Sequence, residues 1–179
     1  VTAVPKAETD LDALVRDVPD FPKAGIGFKD ITPLLGDAAA LAAAVHALGD
    51  PYRNAGVAKV VGIEARGFLL ATPVALALGA GFVPVRKAGK LPWQVEREEY
   101  ALEYGTDLLE VHTDAVAPGE RVLVIDDVLA TGGTAAATVR LLERVGAEVV
   151  GLAFLIELGF LAGRAQLDGR SVTSLLVYD

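Results

Sequence analysis

The chain has 179 residues, enough for one domain with a substantial core, and with 53% hydrophobic and 22% charged residues its composition is globular, not disordered. Sixteen basic against twenty-four acidic residues leave a net charge of −8, which argues against a non-specific nucleic-acid or membrane surface; an anionic substrate has to be met by local basic residues or by a metal. With no cysteine, disulfides, thiolate chemistry and cysteine-ligated zinc are excluded, and two widely spaced histidines do not make a His-rich metal site.

No apolar stretch is long enough to span a bilayer, and the first residues lack the basic-then-apolar pattern of a secretory signal, so a cytoplasmic protein is expected. A start at Val1 in place of methionine points to processing or trimming. From Thr9 to Val18, apolar residues at Leu11, Leu14, Val15 and Val18 have helical spacing, which Pro19 and Pro22 then break. Residues 21–35 hold too many prolines and glycines for a long element yet stay apolar, so they form either a loop packed on the domain or a lid over a site. Asp37 can cap an Ala-rich helix with Leu41, Val45 and Leu48 on one face, running at least to Leu48.

Lys59 to Ile63 reads as a buried strand, followed by Glu64-Ala65-Arg66-Gly67. Ligands of open parallel sheets bind beyond the carboxyl ends of strands, which suits Arg66 to an anion; a surface ion pair is the other reading. Pro73 should either kink the next helix or mark its start. Phe82 to Val85 is a second strand, and Arg86, Lys87 and Lys90 after it form the only concentrated basic patch, a solvated turn or an anion contact. Residues 91–104 read as a polar, mobile insertion, and residues 102–111 as a hairpin arm around a Gly-containing turn. Pro118-Gly119 turns the chain into its most informative stretch.

There an apolar, β-branched run, Val122 to Ile125, leads into Asp126 and Asp127, then Val128-Leu129-Ala130, then a Thr131-Gly132-Gly133-Thr134 turn and a run of good helix propensity. Gly132 and Gly133 allow positive φ, so successive backbone N–H groups can form a concave nest. Thr131 and Thr134 add hydroxyls, and the helix start adds its unpaired N–H groups and positive dipole end. That is a cradle for a phosphate dianion. Two ionised carboxylates repel phosphate but accept hydrogen bonds from a vicinal diol, so the stretch suits a ribose 5-phosphate. Beyond it Gly146 fits a helix C-terminus, residues 148–156 form another buried strand, and residues 171–178 close the fold. Strands alternating with helices imply an open parallel α/β sheet flanked by helices. Pro84 stands where a P-loop before Gly89-Lys90 needs glycine, and Gly79-Ala80-Gly81 precedes a strand, so ATP hydrolysis and NAD binding lose support.

Four apolar residues, two acids, two apolar residues and a Thr-Gly turn resemble the 5-phosphoribosyl 1-diphosphate (PRPP) motif of type I phosphoribosyltransferases. Residues 17–35, 62–70, 85–92 and Glu103-Tyr104-Gly105 resemble the adenine-specific members of that family. The resemblance implies one phosphoribosyltransferase domain over residues 1–179, a small hood mainly from residues 15–35 with a contribution near 155–165, and a flexible loop at about residues 87–105 that closes over the site. It implies a purine-salvage transferase converting adenine and PRPP to AMP and diphosphate in a cytoplasmic homodimer, with no nucleic-acid or membrane partner. It also implies Mg²⁺ as cofactor, held mainly by substrate and water, with no dedicated protein ligands. By the same resemblance PRPP is bound by Arg66, Arg86, Lys87, Lys90, Asp126, Asp127, Ala130, Thr131, Gly132, Gly133 and Thr134.

The resemblance further implies that adenine is contacted by Gly27, Phe28, Lys29 and Leu158, and that the peptide between Glu64 and Ala65 is cis. For Phe28 plain core filling is the alternative, and Lys29 stands where an arginine is common. Glu103 is implied to manage the base proton, alongside Arg66 as a catalytic group; Glu103→Gln should lower turnover far more than Glu110→Gln on the same arm. Family members acting on 6-oxopurines usually carry an aspartate where Ala130 stands, which favours adenine. An orotate or xanthine-type transferase and a non-catalytic PRPP-sensing regulator are the competing functions.

Overall fold

A computed structural model describes residues 10–101 and 106–179. The described residues divide into two compact units, one up to His46 and one from Ala47 onward. The reason lies in the sequence: the prolines and glycines before residue 36 permit only short elements, which pair among themselves.

In the first unit a 3₁₀ turn, Asp12–Leu14, is followed by β1 (Arg16–Val18), so over residues 10–18 the helical spacing does not produce a helix; Thr9 lies outside the described residues. Helix formation has a costly nucleus, and Pro19 and Pro22 leave too few residues to offset it. β2 (Phe28–Asp30) pairs antiparallel with β1, Asp17 opposite Lys29 and Val18 opposite Phe28. A short helix α1 (Thr32–Gly36) precedes α2 (Ala38–Gly49). Asp37 caps α2 as expected: its Oδ1 accepts the N–H groups of Ala39 and Ala40, each at 2.9 Å. α2 stops at Gly49, because Pro51 enters a separate 3₁₀ turn.

The second unit is built on β3 (Lys59–Ile63), α3 (Gly67–Leu78), β4 (Gly81–Lys87), β5 (Val95–Ala101), β6 (Thr106–His112), β7 (Arg121–Leu129), α4 (Gly133–Arg144), β8 (Glu148–Leu158) and β9 (Val172–Tyr178). The seven strands form one sheet in the order β5-β6-β4-β3-β7-β8-β9. The five from β4 to β9 run parallel, as expected, and the β5–β6 hairpin adds antiparallel to the β4 edge. Long apolar runs in β3, β7 and β8 are buried almost throughout, the pattern of parallel strands covered on both faces. α3 packs on β3, β4 and β7, and α4 packs on β5, β6 and β8. Pro73 lies inside α3 and does not start it.

Residues 95–101, expected within a mobile insertion, form a regular strand. Glu96, Glu98 and Tyr100 face inward on a period of two, and Glu98 accepts Arg140 Nε at 2.6 Å and also pairs with Arg144 of α4. Charges that look like solvated loop in sequence are half of an ion-pair seam. β7 and β8 keep strict register except at one point: Val122 pairs with Val149 but Leu123 pairs with Gly151, so Val150 is an inserted residue, a β-bulge. No helix among the described residues is long and apolar enough to cross a membrane.

Candidate active site

β7 continues to Leu129, so Asp126 and Asp127 sit within the strand's final residues, not past its end. Successive side chains leave a strand on opposite faces, yet the two carboxyls stay close enough for the charge of Asp127 to act on Asp126. Asp126 contributes to the wall of a pocket of about 80 Å³, several times the room one water needs, whose other walls are Val128 to Ala135. Asp127 is 5% exposed and accepts a short hydrogen bond from Arg66 Nε, while its own N–H donates to Asp126 Oδ1 at 2.9 Å. Burial first, then the charge of Asp127, push the Asp126 carboxyl well above the usual carboxylate range.

Gly132 takes φ +83°, the left-handed conformation that the turn requires, and α4 begins at the next residue. The first N–H groups of an α-helix have no intrahelical acceptor, and here those of Gly133, Thr134 and Ala135 belong to residues lining the pocket. The first bond of the helix runs from Ala136 N–H to Gly132 carbonyl at 2.9 Å. A loop of this kind offers an anion several donors and a positive dipole end at once.

The cations each lie against a carboxylate. Arg66 ends the β3 loop, whose Glu64–Ala65 peptide is cis, as the resemblance implies. It is an ion-pair partner, but the partner is Asp127 of the motif, not a stray surface acid. Arg86 Nε donates to Glu64 Oε2 at 2.9 Å, Lys90 also pairs with Glu64, and the Lys87 backbone N–H donates to Glu64 at 3.3 Å. Burial raises the Glu64 carboxyl, yet the bonds from Lys90 and Arg86 outweigh it and leave it lowered. Lys87 Nζ lies 2.9 Å from Asp107 Oδ2, and this bond raises the lysine and lowers the carboxyl.

Leu158 ends β8, half-buried. Gly27, Phe28 and Lys29 belong to the first unit, where the Phe28 ring packs edge-on against Phe21 at 5.1 Å and Lys29 Nζ lies 2.5 Å from Asp17 Oδ1. Glu103 lies outside the described residues. Glu110 is not the neutral comparison it resembles in sequence: it is 1% exposed, accepts Arg97 Nε at 2.8 Å and the Gly89 N–H at 2.9 Å, and so braces the basic turn.

Three features escaped the sequence. Glu64 gathers the basic patch; its place between strand and Arg66 was visible, but nothing in spacing joins it to residues 86–90. Tyr100 reaches the Thr134 side chain from the hairpin, a contact between residues 34 positions apart. Glu157, Arg164 and Ser174 form a polar cluster around the buried Glu157 carboxyl for which no motif exists.

A parallel sheet with a phosphate-type turn and paired acids at the carboxyl end of its middle strand defines a phosphoribosyl-transfer class of protein, and the phosphoribosyl transferase domain family matches residues 28–170. The chain is 59% identical to the adenine phosphoribosyltransferase of Myxococcus xanthus, over 94% of this chain and 92% of that one. The crystal structure of adenine phosphoribosyltransferase from Rhodothermus marinus superposes with a TM-score of 0.90 at 57% identity, covering 94% of this chain and 96% of the other. The Saccharomyces cerevisiae enzyme, crystallised with an imino-altritol bisphosphate and adenine, gives a TM-score of 0.88 at 40% identity over 93% and 96%. The chain belongs to the adenine phosphoribosyltransferases of the phosphoribosyltransferase family.

Proposed function

We propose that this chain transfers the 5-phosphoribosyl group of PRPP to adenine, forming AMP and diphosphate in purine salvage. The observation that carries the reading is the pocket lined by Asp126 and by Val128 to Ala135, which combines a backbone nest at a helix start with one carboxylate of the preceding strand, the Asp127 carboxyl lying beside it. Such a pocket takes a phosphate and a diol on one ligand.

In the reaction the bond from ribose C1 to the diphosphate oxygen breaks, the bond from C1 to adenine N9 forms, and the N9 proton leaves. The turn binds the 5-phosphate through backbone N–H groups and the Thr131 and Thr134 hydroxyls. Asp126 and Asp127 accept the ribose hydroxyls and fix the ring, and their charge favours the cationic character that builds at C1. Arg66, Arg86, Lys87 and Lys90 exchange carboxylate oxygens for diphosphate oxygens, stabilising the leaving group. Mg²⁺ would be held mainly by substrate oxygens and water, with Asp126 the pocket's acid able to meet that shell. Bound there, the ion supplies neutralisation of diphosphate charge.

Gly27 offers backbone hydrogen bonds to the adenine edge, and Phe28 offers its ring as a stacking face beside Lys29. Glu103 takes the N9 proton. Ala130 leaves the turn without the acid that 6-oxopurine enzymes use, so hypoxanthine and guanine are poor substrates. The working form is a cytoplasmic homodimer.

AMP formation from adenine and PRPP, with Mg²⁺ and with a chelator, tests the reading; activity lost on chelation and restored by Mg²⁺ is expected. Faster turnover of orotate or xanthine than of adenine overturns the substrate assignment. Glu103→Gln should lower turnover far more than Glu99→Gln, an exposed carboxylate on the same hairpin; equal effects remove Glu103 from the mechanism.

A further inference from the structure

The phosphate turn rests on another piece of backbone. A Cβ on Gly132 would strike the carbonyl oxygen of Gly163 and come within 3.0 Å of Gln166 Cβ. Conversely, a Cβ on Gly163 would strike the Ala130 carbonyl oxygen and approach Gly132 N at 2.8 Å. The two segments therefore touch main chain to main chain, with no space for a methyl group on either side.

Residues Gly163–Leu167 form a 3₁₀ turn with Gly163 and Leu167 buried; Leu167 anchors its far end in the core, and the side chain next to Gly163, Arg164, ties its near end to the sheet. Arg164 Nε donates to Glu157 Oε1 at 3.0 Å and its second terminal nitrogen pairs with Oε2 of the same carboxylate. The first terminal nitrogen donates to the Val172 carbonyl at 2.9 Å, and Ser174 Oγ, 3.3 Å from the guanidinium, donates to Glu157 at 2.6 Å. A planar fork bound to a fixed carboxylate has one geometry, which a lysine cannot reproduce. Glu157 in turn sits on β8 opposite Leu129, the last residue of the strand that feeds the phosphate turn. Neither Glu157 nor Arg164 lines the pocket.

We propose that the Arg164–Glu157 clamp is a positioning device for the transfer reaction: it presses Gly163 against the back of the turn at residues 130–132 and so sets where the phosphate-binding N–H groups stand. The inference rests on the reading of that turn as the ribose 5-phosphate site. Arg164 and Glu157 are positioning residues; neither touches the substrate.

The test is calorimetric titration of the full chain with ribose 5-phosphate, together with KM for PRPP, KM for adenine and kcat. Arg164→Gln and Glu157→Gln are expected to weaken ribose 5-phosphate about tenfold and raise KM for PRPP in parallel, the scale of a lost supporting contact. KM for adenine should stay within about twofold, and Arg164→Lys should fall between wild type and Arg164→Gln. Gly163→Ala leaves the clamp intact but pushes it off the turn, and it should reproduce the loss. Arg170→Gln breaks an exposed pair with Glu143 in the same region and should change nothing.

Ribose 5-phosphate binding within about twofold of wild type in the clamp variants overturns the proposal, as does an equal rise in KM for adenine. If Arg164→Gln does not melt cooperatively, Ser174→Ala, which removes only one hydroxyl from the cluster, decides: a partial weakening of ribose 5-phosphate supports the clamp and unchanged binding overturns it. Wild-type chain that binds no ribose 5-phosphate overturns the phosphate-site reading itself, a result distinct from any behaviour of the variants.

Discussion

Glu157 and Asp126 lie on neighbouring strands, near the same sheet end, and their environments are opposite. Glu157 has an arginine fork and a hydroxyl, and the Arg164 hydrogen bond first of all holds its carboxyl below the usual range. Asp126 has a second carboxylate as its neighbour, and burial and that charge raise it. A chain that only needed to fold would treat both acids like Glu157. The acid left in conflict with its surroundings is the one that lines the pocket, where a substrate hydroxyl can supply the missing donor.

The difference has a sign in pH. Glu157 is lower folded than unfolded, so its contribution to stability is complete above the ordinary carboxylate range and is lost as pH falls through the folded value. Asp126 is higher folded than unfolded. Its cost is therefore absent in acid and grows as pH rises from the ordinary carboxylate range toward the folded value.

The largest effect should come from removing the conflict. Asp126→Asn with Asp127→Asn should lower kcat/KM by roughly 10² to 10⁴-fold, taking about 1.5–3 kcal/mol for each hydrogen bond to a charged acceptor. The single change Asp126→Asn should raise the thermal midpoint at neutral pH, and a lower midpoint would contradict the contrast drawn with Glu157. Next comes Glu157→Gln, which should cost about 2 kcal/mol, below the usual range for breaking a buried pair because the Arg164 side chain is 48% exposed. Chemical denaturation at neutral pH measures it. Smaller again is the pH dependence: the stability gain of Asp126→Asn over wild type should shrink as pH falls into the carboxylate range, and a constant gain would mean that charge is not its cause. The smallest is Arg170→Gln, an exposed pair worth about 0.5 kcal/mol in the same denaturation experiment.

The sequence was most legible where function is local in the chain. The candidate phosphate turn, both acids, Arg66 and the basic patch each lie within a few residues of a strand end, and hydrophobic runs reveal those ends, which is what made these residues candidates. The cap of α2 by Asp37 was legible for the same reason. What stayed hidden is non-local. Arg144 meets Glu98 across 46 positions, so residues 95–101 read as loop until the helix supplied their partners. Residues 9–18 misled in the opposite way, since helical spacing over so short a run cannot outweigh two nearby prolines. Arg164 and Glu157 are seven positions apart, but what joins them is the path of β8 and the turn after it, which no residue pattern declares.

Val150, the inserted residue opposite the Val122–Leu123 step, gives the sheet a phase. Strand side chains alternate, so every position from Gly151 to Leu158 owes its facing to that one extra residue. Deleting it would exchange the two surfaces of the strand's second half, turning Glu157 away from Arg164 and bringing an apolar neighbour to the guanidinium. The edit with the farthest reach into the phosphate cradle thus lies at the other end of the sheet, in a valine that no inspection of the pocket would single out.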